Sequence, residues 1–371
     1  MRTLRRLVYG EILVAVSFVL LAFLGLFLFF DFVDELPALG RASPIDAGKV
    51  YGLQHAFLYV MLLVPNRVYE LMPIAVLIGS VFALARLAQS SEYTILRTSG
   101  LGPWRALRTL LGLGAVFVVL TFGIGDYLAP LADRTGQLLK AQFQGRISVG
   151  QTGAWLKERQ DGSQFSVNIR AMDANGELEG VRLFEFSTDG RLLSLLTAER
   201  GQIGSDQWTL SKVRSTHFST GDANSATIDH REQDTLLWPT TISVEMVSAA
   251  LLKPERMRTV DLFQYIRHLE ANNQSAQRYE IEFWRKVFYP LSCLVMVVLA
   301  LPFAYLHFRS GGIAGYVFMG VMIGISFFLL NNVFGYIGNL RAWEPWVAAA
   351  SPALLYSLAS LGAFGWLVLR R

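Results

Sequence analysis

"ILVAVSFVLLAFLGLFLFF", residues 12–30, runs for nineteen residues without a single Lys, Arg, Asp or Glu. A helix needs about 20 apolar residues to cross a hydrocarbon core ~30 Å thick, so the stretch reads as a membrane span. No small-residue cleavage site follows it, only "DFVDELP" at 31–37, and the segment is expected to be retained rather than removed as a signal peptide. Working outward, residues 287–306, 311–340 and 345–369 are equally free of charge. Residues 71–85 and 109–125 are shorter but extend through weakly polar flanks. Six spans result. The composition agrees: 53% of the 371 residues are hydrophobic and 17% charged, where a soluble domain carries about a quarter charged.

Basic residues orient the spans, because loops on the cytoplasmic side collect Lys and Arg. Arg2, Arg5 and Arg6 precede the first span, and Arg86, Arg97, Arg105 and Arg108 separate the second from the third. Arg309 lies between the fourth and fifth, and Arg370 and Arg371 follow the sixth. The other side holds chiefly Arg41, Lys49 and Arg341, mixed with Asp31, Asp34, Glu35 and Glu344. Both termini are therefore expected on the cytoplasmic side.

Between the third and fourth spans the chain becomes polar and is cut by the turn signals "QDGS", "DANG", "STDG" and "TGDAN". "AWLKER", "QFSVNIR", "VRLFEFS", "QWTLSKVRST", "SATIDH" and "ISVEM" alternate with a period of two and are expected as strands of a sandwich or jelly roll. The expected organisation is three spans over 1–133, an extracytoplasmic all-β domain over 134–257, and a connecting helix with three spans over 258–371. Thr259 is expected to cap the helix through "VDLFQYIRHLEANN". For residues 50–86, where Pro65 and Pro73 would kink a single helix, two forms stay open: a separate outer helix before span two, or one continuous element.

Several chemistries find no footing. The sequence has no G-x-x-x-x-G-K-[ST] phosphate loop, since "DAGKV" lacks the glycine spacing and the hydroxyl residue. His55, His217, His230, His268 and His307 are scattered, with no H-E-x-x-H and no cysteine pair, so no metal site is expected. No G-x-S-x-G elbow occurs. Carboxylates are nearly absent from the spans, which argues against a proton relay. Asp126 and Glu11 read as interfacial, and Asn331 and Asn332 as helix-packing amides. The single cysteine, Cys293, reads as a small buried hydrophobe.

What remains is a transporter driven by another protein, or a membrane-anchored β-domain acting as receptor or scaffold. "ARLAQSSEYTILRTSG", residues 85–100, bears on the choice. It places a short polar helix, closed by Gly100, Gly102 and Pro103, between two apolar spans. Such a helix can seat in a partner's groove or lie on anionic lipid with its arginines down; its spacing leaves both open.

The segment "LARLAQSSEYTILRTSG" (84–100) closely resembles the L-x-x-L-A-x-x-S-E signature of the LptF/LptG lipopolysaccharide-export permeases. "FVDEL" at 32–36, "DYLAP" at 126–130, "NGELEGVRLFEF" at 175–186, "DLFQYIRHL" at 261–269 and "RYEIEFWRKVFYPLSCLVMVVLALPF" at 278–303 resemble the family in order and spacing, nearer its LptG branch. The resemblance implies a permease of the bacterial inner membrane with six spans and a periplasmic β-jelly-roll. It implies no catalysis or cofactor in this chain. It implies pairing with LptF and drive from two copies of the ATPase LptB, which would hold ATP and Mg. LptC in the membrane, LptA in the periplasm and lipopolysaccharide complete the implied partners, with no nucleic acid among them.

On the same footing, the helix near 86–99 would be the coupling helix, with Glu92 as the contact acid beside Ser91, Arg86 and Arg97. The sequence departs from the family after the first span, where Asp31 and Pro37 stand at places the family fills with lysines. Arg41, Lys49, Arg67, Arg134 and Lys140 are then the candidates for lipid A phosphates, which call for clustered cations; a solvated or snorkelling arginine is the competing account. Phe23, Phe27, Phe318, Phe327 and Phe328 are candidates for the acyl-chain cavity, against ordinary helix packing.

Overall fold

The structure, a computed structural model, describes residues 2–43, 49–90, 102–144, 153–160, 162–173, 176–220, 226–250, 254–305 and 313–369. Helix α1 (Arg2–Glu35) carries the opening apolar run, and a short 3-10 turn (Leu36–Ala38) ends it. Helix α2 (Leu53–Gln89) is continuous through both prolines, which answers the question left open for residues 50–86. Proline removes a helical donor, but neighbouring helices can support the backbone around it: the Tyr289 hydroxyl donates to the Glu70 carbonyl at 2.5 Å, three residues before Pro73. Helix α3 (Pro103–Gly123) passes through a π-helical turn (Ile124–Leu128) into α4 (Ala129–Gln144).

After the inserted strands come α5 (Val244–Ala250), α6 (Thr259–Ala271), α7 (Gln277–Leu299), α8 (Ile313–Leu340) and α9 (Pro345–Leu369). Among the described residues six helical stretches are long and apolar enough to cross a membrane: Arg5–Ala38, Leu53–Gln89, Pro103–Lys140, Gln277–Tyr305, Ala314–Leu340 and Pro345–Trp366. The chain gathers into two compact units, one formed by 1–34, 60–132 and 280–371, the other by 35–59 and 133–279.

The core of the first unit joins Val8, Ile12 and Val16 of α1 to Val76 and Leu84 of α2, Leu110 and Phe117 of α3, and Met296 and Val297 of α7. In lipid, helices associate by close packing rather than by escape from water. Gly79 shows this, because a Cβ added there would lie 2.6 Å from the Val16 backbone.

The second unit holds the expected all-β insertion. Strands β1 (Ala154–Gln160), β2 (Ser163–Met172), β3 (Leu178–Ser187), β4 (Leu192–Ile203), β5 (Gln207–Thr220) and β6 (Ala226–Pro239) form one antiparallel sheet in the order β1-β2-β3-β4-β5-β6. The connectivity is a meander, simpler than the Greek-key order of a jelly roll, because only short connections separate successive strands. At two of them Gly176 and Gly190 take φ of 85° and 77°, a region L side chains avoid. Cross-strand pairs such as Leu156–Val167, Val167–Leu183 and Ile169–Val181 stack apolar side chains on the buried face.

Two strand assignments differ from expectation. "ISVEM" is not a strand: Ser243 begins α5, its carbonyl accepting from the Val247 amide at 3.1 Å. Conversely β4, "LLSLLTAERGQI", lies between two partners and was not expected. Its Leu, Ala and Glu favour helix in isolation, and pairing on both edges overrides that preference. At α6 the cap is Arg258 rather than Thr259, with no side-chain cap bond. Arg258 instead donates twice to Asp261, at 3.0 Å each.

Candidate functional site

At one end of the first unit, Arg86 in the last turn of α2 pairs with Glu11 of α1. Glu11, read as interfacial, is thus engaged. Tyr9 adds a second tie, its hydroxyl donating to the Thr109 carbonyl of α3 at 2.9 Å. Ser91, Glu92 and Arg97 lie outside the described residues.

A polar cluster sits inside the span bundle. Lys286 of α7 is buried, and its ammonium donates to the Gly125 carbonyl at 3.3 Å. The carbonyl belongs to the π-helical turn, where widening the helix upsets the regular bonding ladder. Asp126 in the same turn, read as interfacial, is buried within the protein. Gly125 lets Tyr69 approach, since a Cβ there would stand 2.2 Å from the Tyr69 ring, which in turn packs 5.1 Å from Tyr289. Arg285 pairs with Glu282 at 2.6 Å and reaches the Asn332 side-chain oxygen at 3.5 Å. The Asn331 and Asn332 amides donate to carbonyls of their own helix, at 3.0 and 3.2 Å.

Sequence reasoning missed Glu282, Arg285 and Lys286, because the charge-free run begins only at Val287. The usable signal was the spacing of Glu282 and Arg285, three apart as on one helical face.

Arg67 also belongs to this unit. Its guanidinium donates to both oxygens of Asp31 at 2.9 and 2.6 Å and to Glu70 at 3.1 Å, 5.4 Å from the Phe27 ring. One cation thus faces two carboxylates, so any further anion would compete for it.

The remaining cations lie in the second unit. Residues 40–43 and 49–51 pair through the Ala42–Val50 bridge, with the Tyr51 amide donating to the Arg41 carbonyl and the Ser43 amide to the Lys49 carbonyl, each at 2.8 Å. The Ser43 hydroxyl donates to the Gln142 carbonyl at 2.6 Å, attaching this pair of segments to α4, the helix that carries Lys140 and Arg134. The fold therefore gathers Arg41, Lys49 and Lys140 on neighbouring elements. Arg134, six residues before Lys140, projects about 120° away round the helix.

Lys140 pairs with Glu35 at 2.6 Å and lies 4.0 Å over the Tyr59 ring. Tyr51 donates to the same carboxylate at 3.2 Å. Burial, and then the Glu35 charge, push the Tyr51 phenol above its usual range.

The aromatic candidates separate. Phe318 (66% exposed) and Phe328 lie on the outer surface of α8, and Phe27 on that of α1 with Phe23 half-buried beside it. Phe318, Met322, Ile325, Leu329, Val333 and Tyr336 make one outward apolar stripe, spaced three or four apart as a helix face requires. Phe327 is buried instead, stacked 6.3 Å from Tyr289 and edge-on to Tyr356 at 5.2 Å. Among the described residues no three His, Cys, Asp or Glu side chains gather as a metal site.

Comparison with known proteins bears on the whole arrangement. The family described as "Lipopolysaccharide export system permease LptF/LptG" matches residues 6–370. The chain is 28% identical over 344 residues to "Lipopolysaccharide export system permease protein LptG" of Escherichia coli K12, covering 92% of this chain and 90% of the relative. It is 26% identical over 373 residues to the protein of the same description from Haemophilus influenzae, covering 100% of this chain and 99% of that one.

Proposed function

The chain belongs to the LptF/LptG family of lipopolysaccharide export permeases, and from this premise we propose that it is the LptG-type membrane subunit of an ATP-driven lipopolysaccharide exporter. The observation that carries the reading is the family match across 6–370. Spans and inserted sheet both fall within it. The chain would sit in the inner membrane with both termini in the cytoplasm and the sheet in the periplasm, as the sidedness of its arginines supports. It would pair with LptF and LptC and pass lipopolysaccharide to LptA.

The chain carries no nucleotide-binding motif, so energy must arrive by contact. Two copies of LptB, holding ATP and Mg, would drive the segment after Gln89, with Glu92 as the acid that pairs with a basic residue of the ATPase. Helices α2 and α3 flank that segment and would convert closure of the ATPase into movement of the spans. Arg41, Lys49, Arg134 and Lys140 would meet lipid A phosphates through charge-assisted bonds. Arg67 could join them only by releasing a carboxylate. Phe23, Phe27, Phe318 and Phe328 offer apolar surface to the acyl chains, and Phe327 would act through packing beneath them.

Proteoliposomes holding this chain with LptF, LptC and LptB, loaded with lipopolysaccharide, test the reading. Release to LptA should require ATP and the chain. Glu92→Lys should lower retention of LptB or uncouple hydrolysis from release. Release that proceeds without this chain would overturn the function, and full transport by Glu92→Lys with LptB bound would sink the coupling role. A receptor or scaffold would show no ATP-dependent release at all.

A further inference from the structure

Helix α1 lies at the edge of its unit. Val14, Phe18, Leu21 and Leu26 are exposed along it, whereas most of the apolar part of α2 is buried. Its buried apolar residues, Val8, Ile12, Ala15, Val16 and Leu24, form a single stripe that stops at Leu24. From residue 25 to residue 34 no α1 side chain is buried, so apolar packing does not hold that stretch within the unit.

Ion pairs stand at the two ends of the α1–α2 contact. Glu11 meets Arg86 at one end. At the other, Asp31 takes two bonds from Arg67, at 2.9 and 2.6 Å, with the Phe27 ring beside the guanidinium. Midway, the Val16 backbone lies against Gly79. The three contacts share one antiparallel register, each α1 number rising as its α2 partner falls. Glu11 and Asp31 are twenty residues apart, about 30 Å along a helix, which is the thickness of the hydrocarbon core. One pair therefore stands near each membrane face.

We propose that Glu11 and Asp31 are positioning residues which, acting through Arg86 and Arg67, fasten α1 to α2 at both faces of the membrane so that the two helices move as one lever. Arg86 ends the element that leads into the segment after Gln89, so a push delivered there reaches the outer end of α1 through Asp31. The transport consequence rests on the exporter reading; the fastening itself does not.

The test uses the full chain, with buried Cys293 replaced by Ala and spin labels on cysteines at Val14 and Gln89, both exposed. In liposomes the interlabel distance should be narrowly distributed, should broaden in Glu11→Arg and in Arg86→Glu, and should narrow again when both changes are combined. In the complete complex each single change should lower lipopolysaccharide released per ATP several-fold, and the exchanged pair should recover it. At the outer end, Asp31→Asn should lose release and Asp31→Glu should keep it.

Unchanged distances in the single variants, or an exchanged pair that stays broad, would overturn the fastening. An exchanged pair with a narrow distance but no recovered release would assign Arg86 to the ATPase and overturn the lever. If the unaltered complex releases no lipopolysaccharide, the exporter reading fails, and the distances still decide the fastening.

Discussion

The carboxylate of Glu158 on β1 accepts the Thr241 amide and the Thr241 hydroxyl, both at 2.7 Å, 83 residues along the chain. Thr240 adds a 2.6 Å bond, and Gln160 donates both to Glu158 at 2.9 Å and to the Pro239 carbonyl at 2.8 Å. The first strand of the meander is thereby joined to the residues that follow the last. These are side-chain bonds where a closed barrel would use a backbone ladder.

Glu158→Ala should consequently loosen the sheet from its ends. Thr240 is buried while Thr241 is exposed, and a buried donor left without an acceptor costs about 1–3 kcal/mol, so a loss of about 1–3 kcal/mol is expected for the unit. Faster hydrogen exchange at the Thr241 amide in the purified full-length protein checks this. Protection equal to the unaltered protein's would show that the bonds do not hold the ends together.

Acid should weaken the same unit through His268. Its Nε2 is shut away from solvent and has no hydrogen-bond partner among the described residues. Burial lowers the imidazole below its usual value, with Glu158 opposing in part. A histidine that resists protonation when folded makes the unfolded chain the better proton acceptor, so stability is complete above about pH 6.5 and falls as pH drops below it. Hydrogen exchange along α6 should quicken between pH 7 and pH 5, and His268→Gln should flatten that dependence. A pH-independent α6 would contradict the assignment.

Gly125→Ala should strike the span bundle. The added methyl meets the Tyr69 ring, which Tyr289 backs at 5.1 Å. Overpacking of this kind typically costs about 1–3 kcal/mol. A lower melting temperature in detergent, partly restored by Tyr69→Leu, is the expected pattern; an unchanged melting temperature would mean that the turn yields freely.

Removal of Arg41, Lys49, Arg134 and Lys140 together should reduce photocrosslinking to lipopolysaccharide several-fold. Single removals should change little, because neighbouring cations substitute for one another. Lys140→Ala is the instructive single case, since it also leaves Glu35 with one partner fewer. Crosslinking undiminished in the quadruple variant would discard the idea of a basic rim.

Four spans were legible as long charge-free runs, and the other two as shorter runs extended by weakly polar flanks. What escaped the sequence was settled by neighbours. Pro65 and Pro73 argue for a break when α2 is considered alone, yet Tyr289 meets a carbonyl one turn away. Nothing local in "LLSLLTAERGQI" favours a strand, and only β3 and β5 on its flanks make it one. Lys286 looks like the last charge before a span until the helix is seen to begin at Gln277. The aromatic candidates show the same limit: Phe327 and Phe328 are alike in sequence and opposite in surroundings, because adjacent helix positions differ by about 100°.

The sheet order also bears on how the chain acquires its structure. Each strand pairs only with its immediate neighbours in sequence, so the ladder can zip from β1 to β6 in the order of synthesis, every closure being a short loop. Short-range pairings of this kind favour fast folding and shorten the time an unpaired edge stands open to another chain. Glu158 and Gln160 must wait: the three bonds that Thr240 and Thr241 donate to the Glu158 carboxylate, and the Gln160 bond to the Pro239 carbonyl, form only once those residues have been made, and their arrival marks the moment at which the sheet is complete.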